Sequence, residues 1–153
     1  MTKEENKMLI DEIPFLVPRN RWTDEVDEKY DYSYTELDMA EVPSGWNQYL
    51  LPLARELNEV LKRIGYEDEY RILQIKEKYN SLRWYSNVIN EELSMIVGKY
   101  SDKCRHTCHC CGKKAKWETS GWIASYCDDC FKKIYDNNPD EYCLNLDNGA
   151  EDD

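Results

Sequence analysis

Two pairs of cysteines near the C-terminal end of the chain constrain its fold more than any other feature. Two residues separate Cys108 from Cys111. Fifteen residues further on, the same spacing recurs between Cys127 and Cys130. Two residues between paired thiolates allow one tight turn to present both sulfur atoms to a tetrahedral ion. The spacing therefore predicts one structural Zn²⁺ ion, bound by these four cysteines.

The residues between the two pairs fit a zinc ribbon. Gly112 follows the second cysteine, where a positive φ is often needed. Residues 113–126 read as two strands around Ser120 and Gly121, which return the chain to the metal. Because a module of this size buries little apolar surface, the metal is expected to supply much of its folding free energy. Four thiolate ligands leave no open position for a substrate, which argues against a catalytic metal.

The other cysteines and histidines are Cys104, His106, His109, Cys110 and Cys143. Cys110 lies inside the first pair, so its side chain is expected to point away from the metal. Cys104 and the two histidines are alternative ligands, but none has a two-residue gap to Cys111. Cys143 is expected to be a small buried apolar residue. A Cys–His catalytic pair would need a third, orienting group, and none is evident, so we expect no enzyme activity.

The middle of the chain has the apolar periodicity of a helix. Between residues 46 and 64 apolar side chains recur every three or four positions. Ser44 is a candidate N-cap and Gly65 a candidate C-terminal stop. Pro52 lies inside this pattern, which predicts either a later first turn or a kink.

A hairpin and a second helix are predicted to follow. Residues 70–85 read as two antiparallel strands joined by a tight turn at about residues 77–81. Residues 88–100 place apolar side chains on one helical face, with Asn87 as the candidate cap. The predicted fold class is α+β, a small antiparallel sheet packed with helices, plus a C-terminal zinc ribbon.

Four segments are predicted along the chain. They are an acidic N-terminal segment over 1–45, an α+β core over 46–103, the zinc ribbon over 104–136 and an acidic tail over 137–153. Pro14 and Pro18 argue against regular structure near the start. Residues 30–37, where tyrosines alternate with polar residues, fit either a strand or an ordered acidic loop. Residues 147–153 are expected to be disordered.

Charge is unevenly distributed around a net value of −11. Residues 1–45 carry five basic and twelve acidic side chains, giving −7, and residues 136–153 carry seven acidic and no basic ones. Residues 100–135 carry seven basic and four acidic side chains, giving +3, which binding of Zn²⁺ by four thiolates lowers to about +1. The carboxylates would repel phosphates, so we expect no direct binding of nucleic acid.

Three blocks of sequence resemble a known family. They are Gly45-Trp46, then Gln74–Lys78 with Tyr79 and Leu82–Tyr85, then Cys108, Cys111-Gly112, Gly121-Trp122-Ile123, Cys127 and Cys130. Over about residues 43–131, the chain is similar to a family of small uncharacterised bacterial and phage proteins. That family commonly has glycines where this chain has Asn80 and Ser81, so the hairpin turn is expected to differ. The resemblance implies a helix, a hairpin and a terminal zinc ribbon, and it implies no particular activity.

Composition and the N-terminus bear on location. No apolar run approaches the roughly 20 residues needed to span a bilayer, and residues 1–15 lack the pattern of a secretory signal. We expect a cytoplasmic protein, in the bacterial host cell if a phage encodes it. Seven cysteines in a reducing compartment favour a metal site over disulfides.

The hairpin has two interpretations. Its cations Lys76, Lys78 and Arg83, with nearby aromatic side chains at Tyr79, Trp84 and Tyr85, could bind a nucleic-acid strand. Alternatively, Glu77 and other acids pair the cations while the aromatic rings lie in the core. We favour the second interpretation.

The leading functional hypothesis is a non-catalytic protein whose acidic N-terminal surface binds a partner protein with a basic surface. A phage-encoded inhibitor of a host nucleic-acid enzyme, such as a defence nuclease, is one example. The residues proposed to contact the partner are Asp24, Glu25, Asp27, Glu28, Tyr30, Asp31, Tyr32, Tyr34, Glu36 and Asp38. The structural alternative is that this acidity only confers solubility.

A second hypothesis is a zinc-ribbon nucleic-acid-binding protein or transcriptional accessory factor. It would use the lysines of the ribbon, which are Lys113, Lys114, Lys116, Lys132 and Lys133. These lysines would have to share one face, away from both acidic ends of the chain.

Overall fold

A computed structural model describes residues 2–20, 22–33 and 42–135, and the backbone of residues 143–145. The elements are α1 (Lys3–Glu12), a 3-10 helix (Pro14–Leu16), a 3-10 turn (Ser44–Trp46), α2 (Asn47–Ile64), β1 (Ile72–Lys78), β2 (Ser81–Ser86), α3 (Glu91–Arg105), β3 (Trp117–Thr119), β4 (Ser125–Tyr126), α4 (Asp128–Tyr135) and β5 (Cys143–Asn145). Helices pack with a two-stranded antiparallel sheet, and four cysteines cluster in the C-terminal region. The predicted α+β class is confirmed. None of the helices in the described ranges is long and apolar enough to cross a membrane.

Helix α2 is the centre of the core. Its buried apolar face follows the predicted spacing and consists of Leu50, Leu53, Ala54, Leu57, Val60 and Leu61. The helix ends at Gly65, whose φ of 72° is the left-handed conformation that glycine adopts readily. Helix α3 packs against α2 and β2 and closes the core on one side.

The start of α2 differs from the prediction. Trp46 occupies the N-cap position, and no side chain caps the helix there. Ser44 begins the preceding 3-10 turn instead, and its hydroxyl donates to the Cys110 carbonyl at 3.1 Å. Helix α2 begins directly after this turn, at Asn47, so Pro52 lies inside it. The predictions of a Ser44 cap and of a later first turn are wrong.

Strands β1 and β2 form the predicted hairpin, with a register that pairs Lys76 with Arg83 and Lys78 with Ser81. Tyr79 and Asn80 form the two-residue turn, with φ of 53° and 57°. Positive φ at both central residues is the type I′ geometry that matches the twist of the strands. Asn tolerates this conformation better than most residues, so no glycine is required at Asn80.

The second predicted helix is present but starts later. Helix α3 begins at Glu91, and the side chain of Asn90 accepts a hydrogen bond from the Leu93 backbone N–H at 3.1 Å. The predicted cap, Asn87, instead accepts from the Arg71 backbone N–H at 2.7 Å and joins the two ends of the hairpin. The prediction of Asn87 as cap is therefore wrong.

The N-terminal residues contribute to the core in a way that was not predicted. Helix α1 begins with a capping box between Thr2 and Glu5. It buries Leu9 and Ile10, and the 3-10 helix that follows buries Phe15 and Leu16 in the same cluster. Residues 30–33 form no strand, and the rest of the predicted strand or loop, from residue 34, lies outside the described residues.

The ribbon contains a three-stranded sheet in the order β4-β3-β5. Strands β3 and β4 are the predicted antiparallel pair, with Trp117 opposite Tyr126. Strand β5 was not predicted and pairs antiparallel with the free edge of β3. The predicted disordered end, residues 147–153, lies outside the described residues.

Candidate metal centre

The four predicted ligands come together in the fold. The sulfur atoms of Cys108, Cys111, Cys127 and Cys130 all lie within 4.8 Å of one another. The Cys111 and Cys127 sulfur atoms are 3.5 Å apart, much farther than the ~2.05 Å of a disulfide bond. Four sulfurs at about 2.3 Å from a tetrahedral Zn²⁺ would be separated by about 3.8 Å. The cluster therefore fits a metal ion and could hold one.

A tight turn positions the first pair. The backbone N–H of Cys108 donates to the Lys113 carbonyl at 2.8 Å, and the N–H of Gly112 donates to the Cys108 carbonyl at 3.1 Å. Gly112 has a φ of 74°, as its place after the second cysteine predicts. The turn thus directs two sulfurs to one side of the chain.

The start of helix α4 positions the second pair. Cys127 immediately precedes the helix and Cys130 lies in its first turn, where the Phe131 N–H donates to the Cys127 carbonyl at 2.9 Å. Phe131 is buried and stacks on Trp117, with ring centroids 5.3 Å apart. The Trp117 indole N–H also donates to Asp128 at 2.9 Å, which fixes the helix start against β3.

The electrostatics of the cluster favour a bound cation. Burial raises the pKa of Cys108, but hydrogen bonds from the backbone N–H groups of Cys127, Cys111 and Cys110 outweigh the effect of burial. The net effect lowers the pKa of Cys108 to about 7. Burial and the neighbouring thiols raise the pKa of Cys127 and, more strongly, of Cys130. Four thiolates so close together repel one another, and a divalent cation offsets that repulsion.

The other cysteines and histidines whose side chains are described lie outside this four-sulfur group. Cys104 is buried in α3, and burial raises the pKa of its thiol to about 12. The His106 ring lies 2.9 Å from the Asp102 carbonyl, and Cys110 is exposed. The side chain of Cys143 lies outside the described part of the structure, so its predicted burial stays a prediction.

The start of α2 packs directly on the first cysteine pair. The Gly45 N–H donates to the His109 carbonyl at 2.9 Å. A Cβ atom on Gly45 would lie 1.9 Å from the Cys108 carbonyl oxygen and 2.8 Å from the Gly112 nitrogen. The Gln48 side-chain amide donates to the Gly112 carbonyl at 2.9 Å. Only glycine allows this approach, so residue 45 has a direct role in placing the metal ligands.

The turn of the β1–β2 hairpin also packs on the ribbon. The Asn80 side chain is fully buried, and its amide donates to Glu118 at 2.7 Å and to Ser125 at 2.6 Å. Its oxygen lies 2.8 Å from the His109 Nε2 atom. Because the Asn80 amide nitrogen is used as a donor, its oxygen accepts and His109 carries its proton on Nε2. Burial lowers the pKa of His109 to about 4, which keeps the ring neutral.

Gly45, Gln48 and Asn80 are site residues that the sequence analysis missed. Gly45 lies in one block of the family resemblance, and asparagine is preferred at left-handed turn positions such as residue 80, but neither signal indicates a contact with the ribbon. Their partners lie far along the chain: Asn80 and Ser125 are 45 positions apart.

Several of the proposed partner-binding residues have structural contacts. Asp24 forms a two-point ion pair with Arg71, at 2.6 and 2.7 Å, and the pair lowers the pKa of the Asp24 carboxyl. Asp31 pairs with Lys3 at 2.6 Å. Tyr30 and Tyr32 pack against the core, with ring centroids 5.0 Å apart.

Three further members of that set are exposed acids near Asp24. Glu25, Asp27 and Glu28 are exposed and form no ion pair within the described ranges. In the described part of the chain, the carboxylates of Glu25 and Asp27 accept local hydrogen bonds, from Thr23 and from the Lys29 backbone. Tyr34, Glu36 and Asp38 lie outside the described residues.

Most of the ribbon lysines are paired with acids. Lys113 lies 3.3 Å from Asp129, and Lys116 and Lys132 lie 3.6 and 2.6 Å from Asp128. The ribbon therefore offers fewer free cations than its sequence suggests.

Searches against protein-family models, curated proteins and solved structures give no match to this chain. The resemblance to the family of small bacterial and phage proteins accordingly stays a prediction.

Proposed function

We propose that the chain is a zinc-stabilised, non-catalytic protein that regulates a partner protein by binding it. The observation that carries the proposal is the cluster of four cysteine sulfurs within 4.8 Å of one another. Thiolate donors in a set of four are typical of structural zinc sites. A bound zinc ion would cross-link the first cysteine turn to the start of α4, and four protein ligands would exclude substrate from the metal.

The contacts around the cluster support a structural role for the metal. Gly45 and Gln48 join the first cysteine turn to α2, and Asn80 joins the ribbon to the hairpin. A metal that orders the ribbon would also order these junctions. The surfaces on either side would then be held in a fixed relation, which lowers the entropic cost of binding a partner.

The partner is proposed to be a protein with a basic surface, such as a host nucleic-acid enzyme or defence nuclease inhibited by a phage-encoded protein. Glu25, Asp27 and Glu28 support this proposal because no described cation neutralises them. They line an open groove of about 520 Å³ that also includes Arg19 and Lys29. Carboxylates presented in this way attract lysine and arginine and accelerate association.

The alternative, a zinc-ribbon protein that binds nucleic acid through its lysines, has weaker support. Lys113, Lys116 and Lys132 each lie within 4 Å of an aspartate. Phosphates would have to compete with Asp128 and Asp129 for these lysines.

Affinity capture from a bacterial host lysate tests the partner proposal. The bait is the full chain loaded with zinc, and its variant changes Glu25→Gln, Asp27→Asn and Glu28→Gln together. A control with the same change of charge replaces the exposed acids at residues 67–69 by their amides. We expect one specific protein to be captured by wild type and control, and to be lost from the variant and at high salt. Equal capture by all three baits would contradict the acidic surface.

A further inference from the structure

The solvent-facing side of the hairpin carries three cations and no acid. Side chains alternate between the two faces of a strand, so residues paired in register share a face. The register pairs Gln74 with Tyr85, Lys76 with Arg83 and Lys78 with Ser81. We call these six residues the hairpin face. The opposite face places Ile75, Leu82 and Trp84 in the core.

The cations of the hairpin face have no carboxylate partner in the described part of the chain. Glu77, the acid nearest in sequence, lies on the opposite side of β1 and accepts a hydrogen bond from the Asn80 backbone N–H at 2.6 Å. The ammonium groups of Lys76 and Lys78 lie 5.9 and 5.4 Å from the ring centroids of Tyr85 and Tyr79. The expectation that Glu77 neutralises these lysines is therefore wrong.

Exposed aromatic rings border the same face. Tyr85 is 45% exposed, Tyr79 at the turn is 69% exposed, and Trp122 in the ribbon is 81% exposed. Tyr79 and Trp122 line one open groove of about 260 Å³ together with Lys78 and the acid Glu77. Trp84 is the exception, since it is buried and its indole N–H donates to the Tyr70 hydroxyl at 2.8 Å. Exposed rings thus lie at the side and at the end of a row of cations.

We propose that the hairpin face, with Tyr79 and Trp122, binds single-stranded nucleic acid. Cations that follow a backbone of phosphates, interleaved with rings on which bases stack, are the two elements that such sites combine. A duplex would present its phosphates to the cations but keep its bases stacked away from the rings. An acidic protein would satisfy the cations alone, and is the competing occupant.

The net charge of −11 does not prevent this binding. Charges farther away than a Debye length, about 8 Å at physiological ionic strength, are largely screened. Within the hairpin, residues 72–86, three cations outnumber the one acid, Glu77, and this local charge of +2 attracts phosphates. This site is separate from the acidic partner surface, and it does not depend on the proposed function.

Fluorescence anisotropy with a labelled oligothymidine of about 15 nucleotides tests the proposal. We expect binding by the zinc-loaded chain to have a salt dependence that corresponds to three phosphate contacts. The slope of log K against log salt would be about −2, so affinity falls about twentyfold between about 50 and 200 mM salt. Changing Lys76→Glu, Lys78→Glu and Arg83→Glu together should lower affinity at least about tenfold. Tyr85→Ala should lower it at least about fivefold, while Tyr85→Phe retains it.

A variant with the same change of net charge separates this face from the ribbon. Lys113→Glu, Lys114→Glu and Lys133→Glu together should leave the affinity within about twofold of wild type, because none of these lysines belongs to the hairpin face or lines the groove beside it. Melting temperatures of all variants show whether the fold is kept. The proposal is overturned if the oligonucleotide does not bind, or if the ribbon variant loses as much affinity as the hairpin variant. It is also overturned if a duplex, or polyglutamate of equal length, binds as tightly and Tyr85→Ala has no effect.

Discussion

The side-chain oxygen of Asn80 lies 2.8 Å from Nε2 of His109, which joins the hairpin turn to the residue that follows the first cysteine ligand. Asn80 and His109 are 29 positions apart in the chain. The contact lies within a polar group that also includes Glu118 and Ser125. Because all of these groups are partly or fully buried, each depends on the others for its hydrogen bonds.

Replacement of Asn80 should therefore destabilise the whole protein. Asn80→Ala would remove the hydrogen-bond partner that Glu118 and His109 share. Alanine also tolerates the left-handed φ of 57° at this position less well than asparagine does. We expect a loss of about 2–4 kcal/mol in the free energy of unfolding, measured by urea denaturation in the presence of zinc.

Asn80→Gly is the control that separates the backbone from the hydrogen bonds. Glycine accepts the left-handed conformation but cannot bond to Glu118, Ser125 or His109. Asn80→Gly should be more stable than Asn80→Ala by about 1 kcal/mol and still less stable than wild type. If Asn80→Gly is as stable as wild type, the polar group contributes nothing to stability.

The contact between α2 and the first cysteine turn is equally sensitive. Gly45→Ala would place a methyl group 1.9 Å from the Cys108 carbonyl oxygen, so the turn must move. We expect a loss of about 3 kcal/mol in stability and weaker zinc retention against a chelator. Gly98→Ala is the matched control, because a Cβ there meets no atom within 4 Å.

Gly98 lies inside α3, where alanine is favoured over glycine by about 0.5–1 kcal/mol. Gly98→Ala should therefore raise stability and leave zinc affinity unchanged. Equal zinc retention by the two alanine variants would show that the close approach at Gly45 is unimportant for the metal.

Metal content should depend on the four clustered cysteines alone. Purified protein is expected to contain one zinc ion per chain by elemental analysis. Cys108→Ser and Cys127→Ser should each lower zinc content and melting temperature strongly, since the metal supplies folding free energy. Cys110→Ser and Cys143→Ser should retain full zinc content. A stoichiometry near zero in wild type, or equal loss in the Cys143 variant, would reject the assignment.

The parts of the fold that the sequence predicts are those determined by local chemistry. The two-residue spacing of each cysteine pair is a property of one turn, and Gly65 and Gly112 have the positive φ that their positions indicate. The periodicity of α2 reports a face that is buried along its whole length. In each case the signal lies within a few residues of the feature that it predicts.

The parts that the sequence does not predict depend on partners far along the chain. Helix α1 has a short apolar face, and Pro14, two residues after its end, indicates a break, so its burial follows only from the tertiary packing. Asp24 looks like a free surface acid until Arg71, 47 positions away, is found beside it. Likewise, the free cations of the hairpin face become visible only once the side chain of Glu77 is located.

Asp24 should accordingly behave differently from its acidic neighbours. Its carboxylate holds Arg71 at two points, and Arg71 in turn donates to the carbonyls of Asp68 and Tyr70 at the start of the hairpin. Asp24→Asn removes the charge that organises this junction and should lower the melting temperature measurably. Glu25→Gln and Glu28→Gln should each stay within about 0.5 kcal/mol of wild type, as exposed positions normally do.

The pH dependence of this effect has a definite sign. The hydrogen bond with Arg71 lowers the pKa of Asp24 in the folded state, so its contribution is fully present above the unfolded value of about 3.9. That contribution is lost as the pH falls through the lowered pKa. The difference in melting temperature between wild type and Asp24→Asn should therefore be constant from pH 8 down to about pH 5 and shrink below about pH 4. A difference that grows on acidification, or an equal loss of stability in Glu25→Gln, would contradict the ion pair.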